Sequence, residues 1–420
     1  MMLKKGDTLQ SVSGRSIQVG DFLTSGGQGE VYLAQDLTFG PKTVLKTFLD
    51  KFNTNETRER LRFLVKENLK GVCPVFASPV DMIDDKGVLG HCTPHVEGMS
   101  LEDFLRNPTP LGRFSEQIQL ACTLAQAITS LHSRKIAHGD MHPGNFIINR
   151  SGDGVIKLHG IDLDNYSAPS LPPPPCVGQN LYIAPELRDA LSKGHRAIPT
   201  IQSDLFALGV MLHEMILLAH PASGSDSSEA DFHKAMLSGK WILDPAASDQ
   251  PANVGGYPRT VLNADVSRLF RAAISLDGSK RPSADAWEAV LTKAFNAIFQ
   301  CESCGGEFLI DSSKNRCPLC GWPFPKLMLQ INGGGNIFLE NSSTAIGRKE
   351  LNGSLKVSMH HAIFRRIGPE TWVESIGRNG IWRASRGAWI RLPDGKPMLI
   401  QHGDQLKLGD VETMVLTCSH

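Results

Sequence analysis

The chain has 420 residues with 43 Lys and Arg against 43 Asp and Glu, so there is no global basic field to hold nucleic acid and no acidic tail. That length predicts two or three domains. Residues 1 to 20 lack the apolar core of a signal peptide, and the longest apolar run, Leu205 to Ala219, contains His213 and Glu214 and is too short to span a bilayer, so no membrane partner is expected. Four of the nine cysteines form two CxxC pairs, and the other five (Cys73, Cys92, Cys122, Cys176, Cys418) are scattered, a usage that fits a reducing compartment and predicts a cytoplasmic protein.

In chain order, Leu23 to Ala34 sets Gly26, Gly27 and Gly29 inside a hairpin-like alternation, which lets backbone N–H groups approach phosphates. Thr43-Val44-Leu45-Lys46 reads as a strand ending in a lysine, and Asn55 to Leu69 as a helix. Val96 to Leu105 reads as a loop entering a helix, with Ser100 as N-cap. An apolar-periodic run (Ile118, Ala121, Leu124, Ile128, Leu131) then leads into His138-Gly139-Asp140-Met141-His142-Pro143-Gly144-Asn145, with the strand-like Phe146-Ile147-Ile148 after it. A carboxylate and an amide five residues apart on one loop match the need of phosphoryl transfer, a carboxylate to orient the attacking hydroxyl and an amide oxygen to hold Mg²⁺. Val155 to Leu158 reads as a strand into Ile161-Asp162-Leu163-Asp164, and Gly178 to Glu186, Ser203 to Val210 and Lys280-Arg281-Pro282-Ser283 follow.

These segments resemble, in order, the motifs of the protein-kinase-like superfamily, with the catalytic loop in its HGDxHPGN form. The resemblance implies a two-lobed kinase over residues 1–298. In it Asp140 orients the acceptor, Asn145 and Asp162 bind Mg²⁺, and Ser25, Gly26, Gly27, Gly29, Val31 and Lys46 cradle ATP. Lys46 then needs an acidic partner on the next helix, expected at Glu59 in preference to Glu56 or Glu67. Asp164 stands where glycine is usual and is the fallback metal ligand. Ala184-Pro185-Glu186 resembles the end of an activation segment, which implies a protein substrate; a small-molecule phosphotransferase and a degenerate kinase used as a scaffold are the alternatives. Asp204 is expected to brace the catalytic loop, and Arg281 to pair with Glu186.

Cys301, Cys304, Cys317 and Cys320 form two CxxC pairs 12 residues apart, each followed by glycine. Four thiolates so spaced surround Zn²⁺ tetrahedrally, and the segment 299–325 resembles a zinc ribbon with a structural ion. Residues 326–420 become short alternating strands with Gly and Asn turns, the pattern of a β-sandwich. Ile346-Gly347-Arg348, Ser358 to Ala362, Asn379-Gly380 and Gly403 to Gly409 resemble the signatures of forkhead-associated (FHA) domains. That resemblance implies a phosphothreonine-containing partner held by Arg348, Ser358 and Asn379, with His361 as a brace; Arg378 is either a second phosphate contact or a solvated loop charge. The expected class is thus a multidomain α+β protein: a kinase-like fold, a small Cys₄ ribbon and an all-β sandwich.

Overall fold

The computed structural model describes all residues but 1, 2, 39, 41, 108–112, 153, 175–177, 224–233, 247–255, 302, 311–313, 315, 324–326, 340–342, 368, 369, 386 and 418–420. It divides into two compact units, residues 1–257 with 268–291, and residues 258–267 with 292–420. The ribbon and sandwich segments both lie in the second unit.

The first unit opens with an antiparallel sheet of β1 (Thr8–Gln10), β2 (Ser16–Ser25), β3 (Gly29–Asp36), β4 (Lys42–Phe48), β5 (Asp81–Asp85) and β6 (Val88–Pro94), ordered β1-β2-β3-β4-β6-β5. One face buries Leu9, Ile17, Val19, Tyr32, Leu45 and Ile83. Alternation along β4 turns Thr43, Leu45 and Thr47 into that core. Lys46 therefore lies on the other face, where the register sets it opposite Val31 of β3 and His91 of β6.

Between β4 and β5, α1 (Asn55–Glu67) starts at Thr54, whose side chain accepts from the Thr57 N–H, and turns Arg60, Leu61 and Leu64 inward. It ends at Asn68, whose φ of 46° is left-handed, so the helix expected to reach Leu69 is interrupted and α2 (Leu69–Val72) is a separate turn.

A helical lobe follows. It comprises β7 (Met99–Ser100), α3 (Leu101–Arg106) capped by Ser100, α4 (Phe114–Ser133), β8 (Phe146–Arg150), β9 (Ile156–Gly160), α5 (Pro185–Ser192) and α6 (Ile201–Leu217). The periodic run of α4 is its buried face, and α6, apolar on nearly every side, is buried along most of its length. In the β7-β8-β9 sheet Phe146 pairs with Gly160, which brings the loop ending at Asn145 beside the segment that starts at Ile161.

In the second unit a hairpin of β10 (Ile298–Gln300) and β11 (Glu307–Leu309) precedes β12 (Leu327–Ile331), β13 (Asn336–Phe338), β14 (Ser343–Ile346), β15 (Ala362–Ile367), β16 (Glu370–Ser375), β17 (Ile381–Ser385), β18 (Ala388–Arg391), β19 (Met398–Ile400), β20 (Gln405–Leu408) and β21 (Val411–Thr417). From β12 on, these strands form two antiparallel sheets, β13-β12-β21-β20-β17-β18 and β14-β15-β16-β19. Leu327, Leu329, Phe364, Val373, Ile381, Leu406 and Val415 from both sheets share one core, which makes this part a β-sandwich. No helix among the described residues is long and apolar enough to cross a membrane.

Candidate active site

The β2–β3 hairpin turns at Gly26, Gly27 and Gln28, with the Gly26 N–H donating to the Gly29 carbonyl at 2.8 Å. Ser25, Gly26 and Gly27 are exposed, and a Cβ at either of those two glycines would meet nothing within 4 Å, so the backbone there is open to a phosphate. Gly29 has a different reason to be glycine, since its Cβ would lie 1.9 Å from the Thr47 carbonyl of the neighbouring strand. Val31 is half-buried beside Lys46.

Lys46 Nζ is 2.7 Å from Asp162 Oδ2 and 2.6 Å from Asp164 Oδ2. Burial works to lower its pKa, but Asp164 and then Asp162 outweigh that and hold it above the usual lysine range. The other oxygen of Asp164 is 2.9 Å from His91 Nε2. Glu59, expected as the partner of Lys46, is exposed on the outer side of α1, Glu56 is exposed too, and Glu67 pairs with Arg134 at 2.9 Å. The correction has a geometric cause: the inward face of α1 carries Arg60, Leu61 and Leu64. Asp164, the fallback metal ligand, is instead sealed between Lys46 and His91.

Asp140 and Asn145 share one loop, and the Asn145 carbonyl accepts from the Ile161 N–H at 2.8 Å, next to Asp162. The N–H groups of His138 and Gly139 both donate to the Asp204 carboxylate, so α6 fixes the loop that carries Asp140. The Asn145 amide nitrogen donates to the Asp140 carbonyl at 2.9 Å, so the atom it has to offer a cation is its oxygen. Asp140 Oδ2 accepts from Asn165 Nδ2 at 3.0 Å, and Gln28 of the glycine-rich turn donates to the Asn165 side-chain oxygen at 2.8 Å. Asp140 Oδ1 is buried and, among the described residues, has no hydrogen-bond partner. His142 Nε2 stands 3.7 Å from it, and burial holds that imidazole below the usual histidine range. A Cβ on Gly178 would come within 3.8 Å of the same oxygen, so a glycine keeps that approach clear.

The segment from Asp162 is tied down at both ends. Ala137 and Ser167 exchange backbone hydrogen bonds of 2.8 Å, and Glu186 is held by Arg281 through two bonds of 2.7 and 2.8 Å. His91, Arg60 and Asn165 were absent from the sequence reading. A helical wheel centred on Leu61 and Leu64 would have flagged Arg60, whereas nothing local marks the other two.

In the second unit Cys301 and Cys320 bring their sulfurs to 3.7 Å and Cys304 and Cys317 to 3.9 Å, and all four lie within 4.8 Å of one another. Four thiolates around one zinc at about 2.3 Å stand about 3.8 Å apart, so the donor set fits a Zn²⁺. Gly305 and Gly321, at φ of 71° and 75°, close the two cysteine turns. In the sandwich, the loops β14–β15 and β16–β17 gather Arg348, Ser358, Arg378 and Asn379. Arg348 Nε donates to the Val357 carbonyl at 2.9 Å, the Arg378 N–H to Ser358 Oγ at 3.2 Å, and Asn379 Nδ2 to the Lys356 carbonyl at 2.6 Å. His361, wholly buried, accepts from the Ser358 N–H at 3.1 Å and contacts the Gly380 carbonyl at 2.9 Å, joining both loops.

A strand lysine paired with two aspartates, an open glycine turn and a loop held by Asp204 agree with a kinase-like fold. The family model for the protein kinase domain matches residues 17–295, and the chain belongs to that family. Serine/threonine-protein kinase PrkC of Bacillus subtilis is 26% identical over 217 residues, 51% of this chain and 32% of that protein. Serine/threonine-protein kinase PknD of Chlamydia abortus is 29% identical over 233 residues, 47% of this chain and 23% of that protein. The chain thus spans about a third or less of the length of these curated relatives. The kinase domain of Mycobacterium tuberculosis PknI matches in structure with a TM-score of 0.47 at 19% identity, over 70% of this chain and 99% of that chain.

Proposed function

We propose that the chain is an ATP- and Mg²⁺-dependent serine/threonine protein kinase whose C-terminal sandwich is an FHA domain that recruits phosphothreonine-bearing partners. The observation that carries the catalytic part is Asp140 Oδ1, a buried carboxylate oxygen beside Gly178 that has no hydrogen-bond partner among the described residues. Such an orphan is costly unless a substrate donor completes it, and an acceptor hydroxyl would do so while being oriented for attack. Lys46 would face the α- and β-phosphates, and Asn145 and Asp162 would hold the metal. When bound, ATP supplies the γ-phosphoryl group and Mg²⁺ offsets its charge. The chain's own share is to keep these groups fixed before reaction, through Asp204 under the loop and Asn165 on Asp140. The anchored segment ending at Glu186 favours a protein acceptor over a small molecule.

The four cysteines would hold a structural Zn²⁺, with every position filled by protein. Arg348 and Ser358 suit the clasp of a phosphate, and Asn379 suits the backbone of an extended peptide. No threonine lies between Asp162 and Glu186, so the FHA ligand is a phosphothreonine elsewhere, on a separate protein. The competing cis site, Thr109, lies outside the described residues. Domain limits of 1–298, 299–325 and 326–420, a cytoplasmic place and partners that exclude nucleic acid complete the proposal.

The test incubates the chain and an acceptor protein with Mg²⁺ and labelled ATP and maps the label by mass spectrometry. Label on Ser or Thr is expected. A chain that binds ATP but transfers nothing to protein is a scaffold, and label on a small molecule alone overturns the protein-kinase reading.

A further inference from the structure

The buried counter-ion of Lys46 comes from the metal-binding segment and not from the helix. On α1, Glu56 and Glu59 are exposed and Glu67 is occupied by Arg134. The charged residue that α1 turns inward is a cation. Arg60, 4% exposed, donates to the backbone carbonyls of Asp164 and Tyr166 at 2.6 Å each and of Pro172 at 3.1 Å, and lies 4.6 Å over the Tyr166 ring.

The two aspartates on Lys46 differ in exposure. The Asp162 side chain is 36% exposed and is the group a cation would claim, which sets the metal in competition with Lys46 for it. The Asp164 side chain is 2% exposed and has one oxygen against Lys46 and the other against His91, so no metal reaches it. His91 sits directly across the β4–β6 ladder from Lys46, on the same face.

We propose that Asp164, oriented by His91, is the positioning residue of Lys46, and that Arg60 couples α1 to this same segment through its backbone. The inference rests on the kinase reading above. In this arrangement Lys46 keeps its counter-ion while Asp162 turns to the metal. The lysine and α1 both engage the stretch Asp162-Leu163-Asp164 that carries the metal ligand, with Tyr166 and Pro172 adding carbonyls for Arg60.

The test has two arms on the full chain. In the first, a fluorescent ATP analogue with Mg²⁺ is titrated into the wild type and into Asp164→Asn, Asp164→Glu, His91→Leu and Glu59→Gln. Asp164→Asn is expected to weaken binding at least tenfold and His91→Leu about threefold or more, with Asp164→Glu recovering part of the loss and Glu59→Gln within twofold of wild type. In turnover, Asp164→Asn should raise the KM for ATP and lower kcat, with the KM for acceptor protein unmoved, a split that general loosening would not give. The second arm needs no nucleotide: unfolding of Lys46→Met, Asp164→Asn and their double variant should be non-additive, while Lys46→Met with Glu59→Gln adds. Additive behaviour of Lys46 with Asp164, or a loss in Glu59→Gln equal to that in Asp164→Asn, overturns the proposal. If the wild type binds no nucleotide, the kinase reading fails while the unfolding cycle still decides the pairing.

Discussion

At Gly139 the catalytic loop has no room for a side chain, because φ is 77° and a Cβ would lie 2.1 Å from the Asn165 carbonyl. The loop therefore offers no cation next to Asp140 to receive a phosphate from the activation segment. The hydroxyls of Tyr166 and Tyr182 are engaged with the Arg60 carbonyl and the Glu214 carboxylate. Initial rates of Ser167→Ala/Ser170→Ala should accordingly stay within about threefold of wild type, and a loss of a hundredfold would contradict this. Glu214 makes a second prediction. Burial, with Glu102 adding to it against the Tyr182 hydrogen bond, raises its pKa from 4.5 to about 7. A carboxyl raised on folding adds stability that is present in full below the unfolded value and is lost as pH rises through the folded one. The unfolding free energy should thus fall between pH 5 and pH 8, by on the order of 3 kcal/mol at most, and the melting temperature with it. Glu214→Gln should flatten that fall; parallel profiles would refute it. The residues proposed to carry chemistry could be singled out because motif spacing survives in one dimension, as with Asp140 and Asn145. The partner of Lys46 was not. Helical geometry sets Glu59 about 200° around from Leu61, so it faces outward, and the carboxylate that replaces it lies on a distant segment.

The cysteine hairpin illustrates the same limit for an element. The meeting of its four sulfurs could be read from spacing, since two CxxC turns need only their local backbone. Its packing could not. Phe299 and Phe308 are fully buried with ring centroids 5.4 Å apart, Cys301 and Cys317 are buried, and the Lys314 amine donates to the Leu262 carbonyl at 2.6 Å. The proposed zinc would be the main clamp on this hairpin, since a structural zinc contributes on the order of 10 kcal/mol in small peptides. Freshly purified protein should hold one zinc per chain. Cys317→Ser or prolonged chelation should expose the segment 300–325 to protease; absence of zinc, with the segment equally resistant in the variant, would contradict the assignment.

For the whole molecule, the proposed function places catalysis in the first unit and recruitment in the sandwich of the second. The sandwich was foreseeable from its alternating strands, whereas the segment 258–267, which belongs with the second unit, carries no sign of that in its composition. Recruitment predicts that a catalytically silent full chain captures phosphoproteins from lysate, that phosphatase treatment abolishes the capture, and that Arg348→Ala reduces it at least tenfold. Added salt should weaken it as well, since a phosphate with nearly two charges is being read. Phosphatase-insensitive capture would assign the sandwich a purely structural role. The central claim, that Asp140 serves phosphoryl transfer to protein, is tested most directly by labelling rates of the wild type and Asp140→Ala, together with their melting temperatures. Ser and Thr labelling should drop at least a thousandfold in Asp140→Ala, with the melting temperature within about 3 °C of wild type. Undiminished labelling in Asp140→Ala would contradict it.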